Sequence, residues 1–264
     1  MALEPQVDDA EVIVSEPRAS TADVRARFPF ARFIERPGAL VPVLWRDGID
    51  ASSGRVVALT ISPMRPAADW VATIRAQLER VDVVAGAIDP GRGLRLSDWA
   101  EYFVRYARDM LPFAGHECLD LPGDNAAYRR DVLERARHLY RDGFWEPDVH
   151  RFLHQRGAAL WHAPELVVRL GRSAGARALA RQRLAHGRVY GAQRGSAMSA
   201  MRNLAGVLGA PLVPPVLITR VVRETQRRGR LRGRLLAVLP IIVVFDCAWA
   251  AGEALGHLDA LRRR

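Results

Sequence analysis

The chain has 264 residues, and 49% of them are hydrophobic, which excludes a wholly disordered protein and allows a substantial buried core. This length fits one large domain or a domain with an appendage. The two cysteines, Cys118 and Cys247, are far apart and show neither a C-x-x-C nor a metal-ligand spacing. Their placement excludes a disulfide framework and predicts free thiols in a reducing compartment.

The charge is unevenly distributed, and every basic residue is an arginine. Residues 151–264 hold 20 arginines against five acids, whereas residues 1–150 hold 19 against 24. Such asymmetry favours a nucleic acid or an anionic membrane surface as partner. Aromatic residues are not interleaved with the arginines and no nucleic-acid motif is present, so we expect the membrane surface and no nucleic acid. An arginine-rich nucleic-acid binder is kept as a weaker alternative.

The N-terminal third predicts short strands alternating with helices. The first residues, MALEPQVDDAE, carry acids where a signal peptide needs a basic start and an apolar run, so we expect no secretory signal. Strands are predicted over 11–14 and 30–34, and helices over 21–27 and 42–54. The run RVVALTI at 55–61 is continuously apolar, which is typical of a central parallel strand buried on both faces.

In a doubly wound sheet, ligands lie beyond the carboxyl ends of the strands, so the residues after the 55–61 strand are of most interest. The chain there reads Thr60-Ile61-Ser62-Pro63-Met64-Arg65-Pro66 and contains no carboxylate. Beyond it, periodicity predicts a helix over 70–78, a strand over 81–88 and a helix over 98–111.

The central stretch from 121 to 160 combines a polar loop, a helix, a carboxylate turn and a second helix. Gly123, Asp124 and Asn125 supply turn chemistry, and a helix is predicted from 126 to about Gly143. Glu146 then precedes Pro147 at the start of the second helix. A carboxylate at this position is either a capping acid favoured by the helix dipole or a catalytic base. A strand over 159–168 and an arginine-rich helix from 171 follow.

The C-terminal region is apolar and bracketed by arginines. Residues 204–218 contain three prolines and no charge, and the 17-residue run 235–251 is interrupted only by Asp246. A spanning helix needs about 20 apolar residues, and Asp246 exposed to lipid would cost roughly 2.5–3.5 kcal/mol. We therefore expect interfacial or re-entrant helices, with a single span as second choice and a soluble helical subdomain as a third.

Several of these motifs together resemble the family-2 glycosyltransferases of GT-A fold. The resemblance covers most of residues 11–195 and is carried by Gly-x-Asn-x-x-Tyr-Arg-Arg from Gly123, by Gly-Phe at Gly143, and by Leu-x-x-x-Gly from Leu153. The run Trp-Ala-Ala-Gly-Glu from Trp249 is similar to the membrane-proximal end of bacterial members. The resemblance implies an α/β, GT-A-like (Rossmann-like) fold with a mostly parallel sheet and flanking helices over 1–195. A membrane-associated apolar helical region is expected over 196–264.

The resemblance also implies roles for individual residues. Counting back from Leu-x-x-x-Gly places the family's catalytic base on Glu146, and Asp148 matches a second family acid. Gly123, Asp124 and Asn125 would line the acceptor and donor-sugar side. Two further residues would contact the donor nucleotide: Glu16, in place of the first family aspartate, and Arg65, as a fixed cation beside the diphosphate. A plain surface position is the alternative for Arg65.

Two family features are missing. The family's metal-binding Asp-x-Asp, which holds Mg²⁺ or Mn²⁺ at the diphosphate, corresponds to the carboxylate-free residues around Ser62. The family also carries a β-α unit before the position of residue 11, and its lack here predicts either a misassigned start codon or an incomplete donor site. The implied reaction is inverting transfer from a nucleotide-sugar to a hydroxyl of a saccharide, lipid-linked or small-molecule acceptor. It would take place at the cytoplasmic face of the cell membrane. The alternative is a catalytically inactive scaffold or binding subunit.

Overall fold

The computed structural model describes Gln6 and residues 10–263, so most of the N-terminal stretch predicted to be non-secretory lies outside the described residues. The chain folds as two compact units. Unit 1 comprises the residues up to Asp89 together with Leu111–Arg169, and unit 2 comprises Pro90–Met110 together with the residues from Leu170 onward. This division differs from the predicted domains 1–195 and 196–264, because residues 90–110 and 170–195 belong to the second unit.

Unit 1 begins with a small parallel sheet. Its first elements are β1 (Val12–Glu16), α1 (Ala22–Arg27), β2 (Ala31–Glu35) and α2 (Val41–Ala51). β1 pairs in parallel with β2. Thr21 caps α1, because its hydroxyl accepts a hydrogen bond from the backbone N–H of Val24. All four elements lie within a few residues of their predicted positions, so these predictions are confirmed.

A six-stranded sheet forms the rest of the framework. The elements that follow are β3 (Val56–Thr60), β4 (Met64–Pro66), α3 (Trp70–Leu78), β5 (Val83–Pro90), α4 (Leu96–Tyr106), β6 (His116–Glu117), β7 (Asn125–Arg129), α5 (Arg130–Leu133), α6 (Glu146–Gln155) and β8 (Leu160–Leu170). The strand order is β3-β7-β5-β8-β4, with β6 beside β8. β7 is antiparallel to β3 and β5, and β6 is antiparallel to β8. The sheet is therefore mixed, and the prediction of a mostly parallel sheet is wrong.

Strand β3 lies at one end of this order and not at its centre. Its side chains alternate between buried Val57 and Leu59 and exposed Val56 and Ala58. The apolar run at 55–61 therefore belongs to a strand with one solvated face, and the prediction of a central parallel strand is wrong. An unbroken run of apolar residues specifies a strand but does not determine its neighbours.

The segment after the Gly123 loop is also different from its prediction. Ala126, Ala127 and Tyr128 lie in strand β7, fully buried between β3 and β5, and only the four residues of α5 follow as regular helix. Alanine favours helices by propensity, but burial inside a sheet overrides that weak preference. A 3₁₀ segment over Glu134–Leu139 continues the chain towards Gly143.

Aromatic side chains fill the core of unit 1. Phe144 is completely buried and meets Trp45 and Tyr128 edge-to-face, with ring centroids 6.3 and 5.6 Å apart. Tyr140 packs on the same ring at 5.4 Å. Removing a buried aromatic side chain costs about 3–5 kcal/mol, so Phe144 fixes the chain just before Glu146.

Unit 2 consists of helices. Besides α4, it contains α7 (Ala176–Ser196), α8 (Ala200–Gly209), α9 (Val213–Arg228) and α10 (Arg232–Arg262), with a 3₁₀ turn (Ala210–Leu212) joining α8 to α9. α10 continues through Pro240 without a break. Two stretches, Ala200–Arg228 and Arg232–Arg262, are long and apolar enough to cross a membrane by length and composition.

Helices α7 and α10 run side by side in backbone contact. Glycines at four-residue spacing occupy the interface on both helices: Gly187, Gly191 and Gly195 on α7, and Gly252 and Gly256 on α10. A side chain at Gly191 would collide with the backbone carbonyl of Glu253. Such small-residue stripes let helix backbones approach closely, and the stripe is why these two helices form one pair.

Candidate functional site

The register of the sheet brings two sequence motifs together. Thr60, the last residue of β3, pairs with Asn125, the first residue of β7. The carboxylate-free turn that follows Thr60 and the Gly123 loop that precedes β7 therefore emerge at the same edge of the sheet. This edge is the candidate site.

Glu146 reaches this edge from the first turn of α6. A Cβ atom added to Gly123 would lie 2.5 Å from Glu146 Cγ and 2.8 Å from Cδ, so the carboxylate side chain rests directly on the glycine. Any side chain at position 123 would displace it. The structure thus places the predicted base on the predicted loop, although the two are 23 positions apart in the sequence.

The position of Glu146 is determined by its neighbours. Phe144 anchors the chain before it in the aromatic core, and buried Val149 anchors the helix after it. Pro147 lies in the first turn of α6, where a proline loses no helical hydrogen bond, and Glu146 is favoured there by the helix dipole. Glu146 itself is half-buried.

A buried polar pair lies behind Glu146. The Tyr128 hydroxyl is hydrogen-bonded to His150 Nε2 at 2.8 Å, and both residues are fully buried. Burial raises the pKa of Tyr128 well above its ordinary value, and the negative charge of Glu146 raises it further. His150 is not among the residues predicted from the sequence. Its position four residues after Glu146 nevertheless puts both side chains on one face of α6.

The side chain of Asn125 is used inside the protein. Its amide nitrogen donates to the carbonyl oxygens of Ala87 (3.1 Å) and Leu166 (2.9 Å), and its oxygen accepts a hydrogen bond from Trp70 Nε1 at 2.8 Å. Asn125 is completely buried. These bonds tie the loop to β5, β8 and α3, so Asn125 supports the loop from within.

The two other predicted acids of this region lie in different surroundings. Asp124 is buried beside Gly123 in the loop. Asp148 is exposed and forms an ion pair with Arg151 at 3.2 Å on the same helix. Two positions along a helix correspond to nearly opposite directions, so Asp148 does not share the face of Glu146.

The two predicted nucleotide contacts lie outside the Gly123 loop, on strands β1 and β4. Glu16 ends β1, in the separate two-stranded sheet, where it accepts hydrogen bonds from Ser20 N (2.9 Å) and the Ser20 hydroxyl, and pairs with Arg25 at 2.8 Å. Burial by itself raises the pKa of Glu16, but the hydrogen bonds from Ser20 and Arg25 outweigh it and lower the pKa overall. Arg65 is exposed on β4.

The residues after β3 do not fit a divalent metal. Mg²⁺ and Mn²⁺ take oxygen ligands, mainly carboxylates, and none lies between Ile61 and Pro66. Among Gln6 and residues 10–263, no group of three His, Cys, Asp or Glu side chains is arranged to hold a metal ion.

No protein-family model and no curated protein matches this chain. Geometry and the motif resemblance are therefore what bears on the chemistry of the site.

Proposed function

We propose that the chain is an inverting glycosyltransferase with a GT-A-like unit 1, and that Glu146 is its general base. The observation that carries the proposal is the contact between the Glu146 side chain and Gly123 at the edge where β3 ends and β7 begins. A half-buried carboxylate held rigidly beside a polar loop suits proton abstraction from a hydroxyl group that enters there.

The proposed reaction uses one carboxylate. Glu146 accepts the proton of the acceptor hydroxyl while that oxygen attacks the anomeric carbon of the donor sugar, and the bond to the nucleoside diphosphate breaks on the opposite side. The configuration at the anomeric carbon is inverted. A positioned base contributes about 10²–10⁴-fold to the rate of such a step. Because Gly123 has no side chain, the Glu146 carboxylate has room beside the loop.

The leaving group needs positive charge, and the metal acids are absent. Arg65 is an exposed arginine of β4 and lies within the carboxylate-free stretch from Thr60 to Pro66. A guanidinium group can bind two phosphate oxygens at once, so Arg65 is the proposed partner of the diphosphate. Donor nucleotide, sugar and acceptor are proposed by class only: a nucleotide-sugar, and a hydroxyl on a saccharide, lipid-linked or small-molecule acceptor.

We also propose attachment to the cytoplasmic face of the membrane through unit 2. The outer face of α10 carries only apolar side chains from Leu236 to Leu255, because its acids Asp246 and Glu253 turn towards α7. α7, packed along the C-terminal half of α10, exposes Arg181 and Arg188. Arg188 is paired with Asp259 at 2.6 Å. An arginine without such a partner among the described residues, as at Arg181, would cost about 2.5–3.5 kcal/mol at the bilayer centre, so the helix pair suits the membrane interface better than a span.

The test is nucleotide-sugar turnover on membranes that carry the full chain, with and without manganese, comparing wild type with Glu146→Gln. Asp142→Asn is the matched control, because Asp142 is an exposed carboxylate four residues upstream. We expect turnover by wild type and Asp142→Asn and a loss of at least about 100-fold in Glu146→Gln. Equal turnover in wild type and Glu146→Gln would refute the assigned base.

The second candidate function is a catalytically silent scaffold of the same fold. It is favoured by the carboxylate-free turn after β3 and by the engagement of Glu16 with Ser20 and Arg25. This candidate predicts that no sugar of a UDP- and GDP-sugar panel is bound or transferred by a folded, membrane-bound wild-type protein.

A further inference from the structure

Unit 2 contains a groove that the proposed reaction does not use. It has a volume of about 360 Å³, within the range of small-ligand pockets, and lies between the end of α7, α8 and α10. We call it the α8 groove; the residues that matter are Arg194, Arg202, Gly206, Gly209, Val213 and His257.

One end of the α8 groove is cationic. Arg202 is exposed, and its guanidinium forms no ion pair or hydrogen bond within residues 10–263. Arg194 pairs with Glu253 at 3.2 Å, so these two lining residues neutralise each other. Arg202 therefore provides the uncompensated positive charge of the groove.

A buried histidine faces the same space. His257 is 4% exposed, and its Nδ1 lies 2.8 Å from Asn203 Oδ1, while the Asn203 amide nitrogen donates to Gly195 O at 2.9 Å. Since the Asn203 oxygen can only accept, Nδ1 carries the hydrogen. The opposite edge of the ring, with Nε2, lies against Gly206 of the groove. The ring of His257 thus forms part of the groove wall beside Gly206.

The other end of the α8 groove is apolar. Small or aliphatic residues line it, namely Ala205, Gly206, Gly209, Ala210 and Val213. Next to it, α8 and the 3₁₀ turn after it expose an apolar ridge at three- and four-residue spacing, formed by Met201, Leu204, Leu208 and Leu212, of which Met201 is 81% exposed. A ligand that fits the whole groove needs an anionic group and a hydrocarbon chain.

We propose that the α8 groove binds one phosphorylated lipid, with its phosphate at Arg202 and an acyl or prenyl chain along Gly206, Gly209 and Val213. The proposal rests on the proposed membrane attachment and is independent of the transfer reaction. A lipid is favoured over free phosphate because the apolar half of the groove would remain uncovered by phosphate alone. It is also favoured over an acidic protein segment, because the exposed ridge beside the groove is uncharged.

Gly209 offers a direct way to fill the groove. A Cβ atom added there meets no atom within 4 Å, and the backbone of Gly209 has an ordinary φ of −79°. We therefore expect the Gly209→Leu side chain to extend into the groove that this residue lines. Gly233→Leu is its control, because position 233 is equally open but lies at the start of α10. Arg202→Gln removes the cation, and Arg80→Gln, at an exposed arginine of unit 1, is its control.

The experiment is native mass spectrometry of the full chain in detergent with phosphatidylglycerol or phosphatidylcholine as probe, and calorimetry with glycerol phosphate. We expect wild type and both controls to retain one phosphatidylglycerol, and Gly209→Leu and Arg202→Gln to retain it at least about tenfold more weakly. Phosphatidylcholine and glycerol phosphate should bind much more weakly than phosphatidylglycerol.

Equal retention by wild type and the two groove variants would overturn the proposal, as would equal binding of the two lipids. Tight binding of glycerol phosphate would identify a free-phosphate site instead. Flotation of the same proteins on phosphatidylglycerol vesicles distinguishes a failure of the lipid-groove proposal from a failure of the membrane-attachment proposal. Wild type that floats but shows no groove-dependent lipid refutes only the groove, whereas wild type that does not float refutes membrane attachment. Turnover with Glu146→Gln remains a separate measurement.

Discussion

The two units use glycine and charge for different purposes. In unit 1, large aromatic side chains form the core, and Gly123 gives space to the half-buried carboxylate of Glu146. In unit 2, glycines bring two helix backbones into contact, and the acids are neutralised by arginines, as in the buried pair of Asp246 and Arg183 at 3.2 Å. The role of a glycine or an acid is therefore determined by the residues that it contacts. Substitutions at these positions should have different effects in the two units.

The largest effect is expected at the buried ion pair of unit 2. Asp246 is 1% exposed, and Asp246→Asn would leave the Arg183 guanidinium without its anion in a buried setting. Loss of one partner of a buried pair costs about 3–5 kcal/mol, measured as thermal unfolding of the detergent-solubilised protein. The double variant Arg183→Met with Asp246→Leu should recover most of this loss. If the double variant is no more stable than Asp246→Asn, the buried charge is not the cause.

The next effect concerns the glycine contact between α7 and α10. Gly191→Ala places a Cβ against the Glu253 carbonyl, and neither backbone can move without separating the helices. We expect a loss of about 1–3 kcal/mol in unfolding free energy. Gly233→Ala, where a Cβ meets nothing within 4 Å, should leave stability unchanged or slightly raised. Equal stability of the two variants would show that the helices adjust freely.

A glycine-to-alanine change at the candidate site should act on rate. Gly123→Ala pushes the Glu146 carboxylate from its place, and a displacement of about 1 Å can cost about 100-fold in turnover. Turnover of Gly123→Ala and its unfolding temperature are measured together. A large drop in stability with a proportionate loss of activity would assign Gly123 to the fold and not to the site.

The last effect is a pH dependence in unit 2. Asp98 is buried at the start of α4, and burial by itself raises its pKa, but hydrogen bonds from Arg95 and Ser173 outweigh burial and lower the pKa to about 2. Because the folded pKa lies below the unfolded value, the stabilisation is present above about pH 4 and is lost as pH falls towards 2. Asp98→Asn should remove about 2 kcal/mol at pH 7 and flatten this dependence.

Acid unfolding of Asp98→Asn, followed between pH 2 and 5, checks the sign. Asp142→Asn, at an exposed carboxylate of unit 1, is the control and should retain the wild-type slope. A wild-type slope in Asp98→Asn would contradict the assignment.

Much of the element pattern could be predicted from sequence. The helix Trp70–Leu78 was predicted at its observed bounds, and β2, α2, β5 and β8 lie close to their predicted positions, because each has a clear periodicity or an apolar run with turn residues at its ends. β7 was predicted as a helix, since its alanines and Tyr128 satisfy a helical spacing when the neighbouring strands are unknown. The prediction of parallel strands was also wrong, because hydropathy does not encode which strands pair or in which direction.

The resemblance named residues of the candidate site but did not predict how they meet. Glu146 and Gly123 were both named by resemblance to a sequence motif, but their contact depends on how α6 is placed by Phe144 and Val149. His150 was missed, although its spacing from Glu146 on α6 was visible. The sequence does not show whether the Asn125 side chain faces the site or the interior. The structure shows that it is bonded inside the protein, where it supports the loop.

By itself, the sequence determined local properties: the helices and strands with strong periodicity, the two apolar C-terminal segments, the arginine excess and the absence of carboxylates after Thr60. These are set by composition and short spacing along the chain. Only the tertiary structure decided the strand directions of the mixed sheet and the contact of Glu146 with Gly123. It also decided the α7–α10 backbone contact and the pairing of Asp246 and Glu253 with arginines of α7. Each of these depends on residues far apart in sequence, and long-range packing chooses among the many pairings that local preference allows.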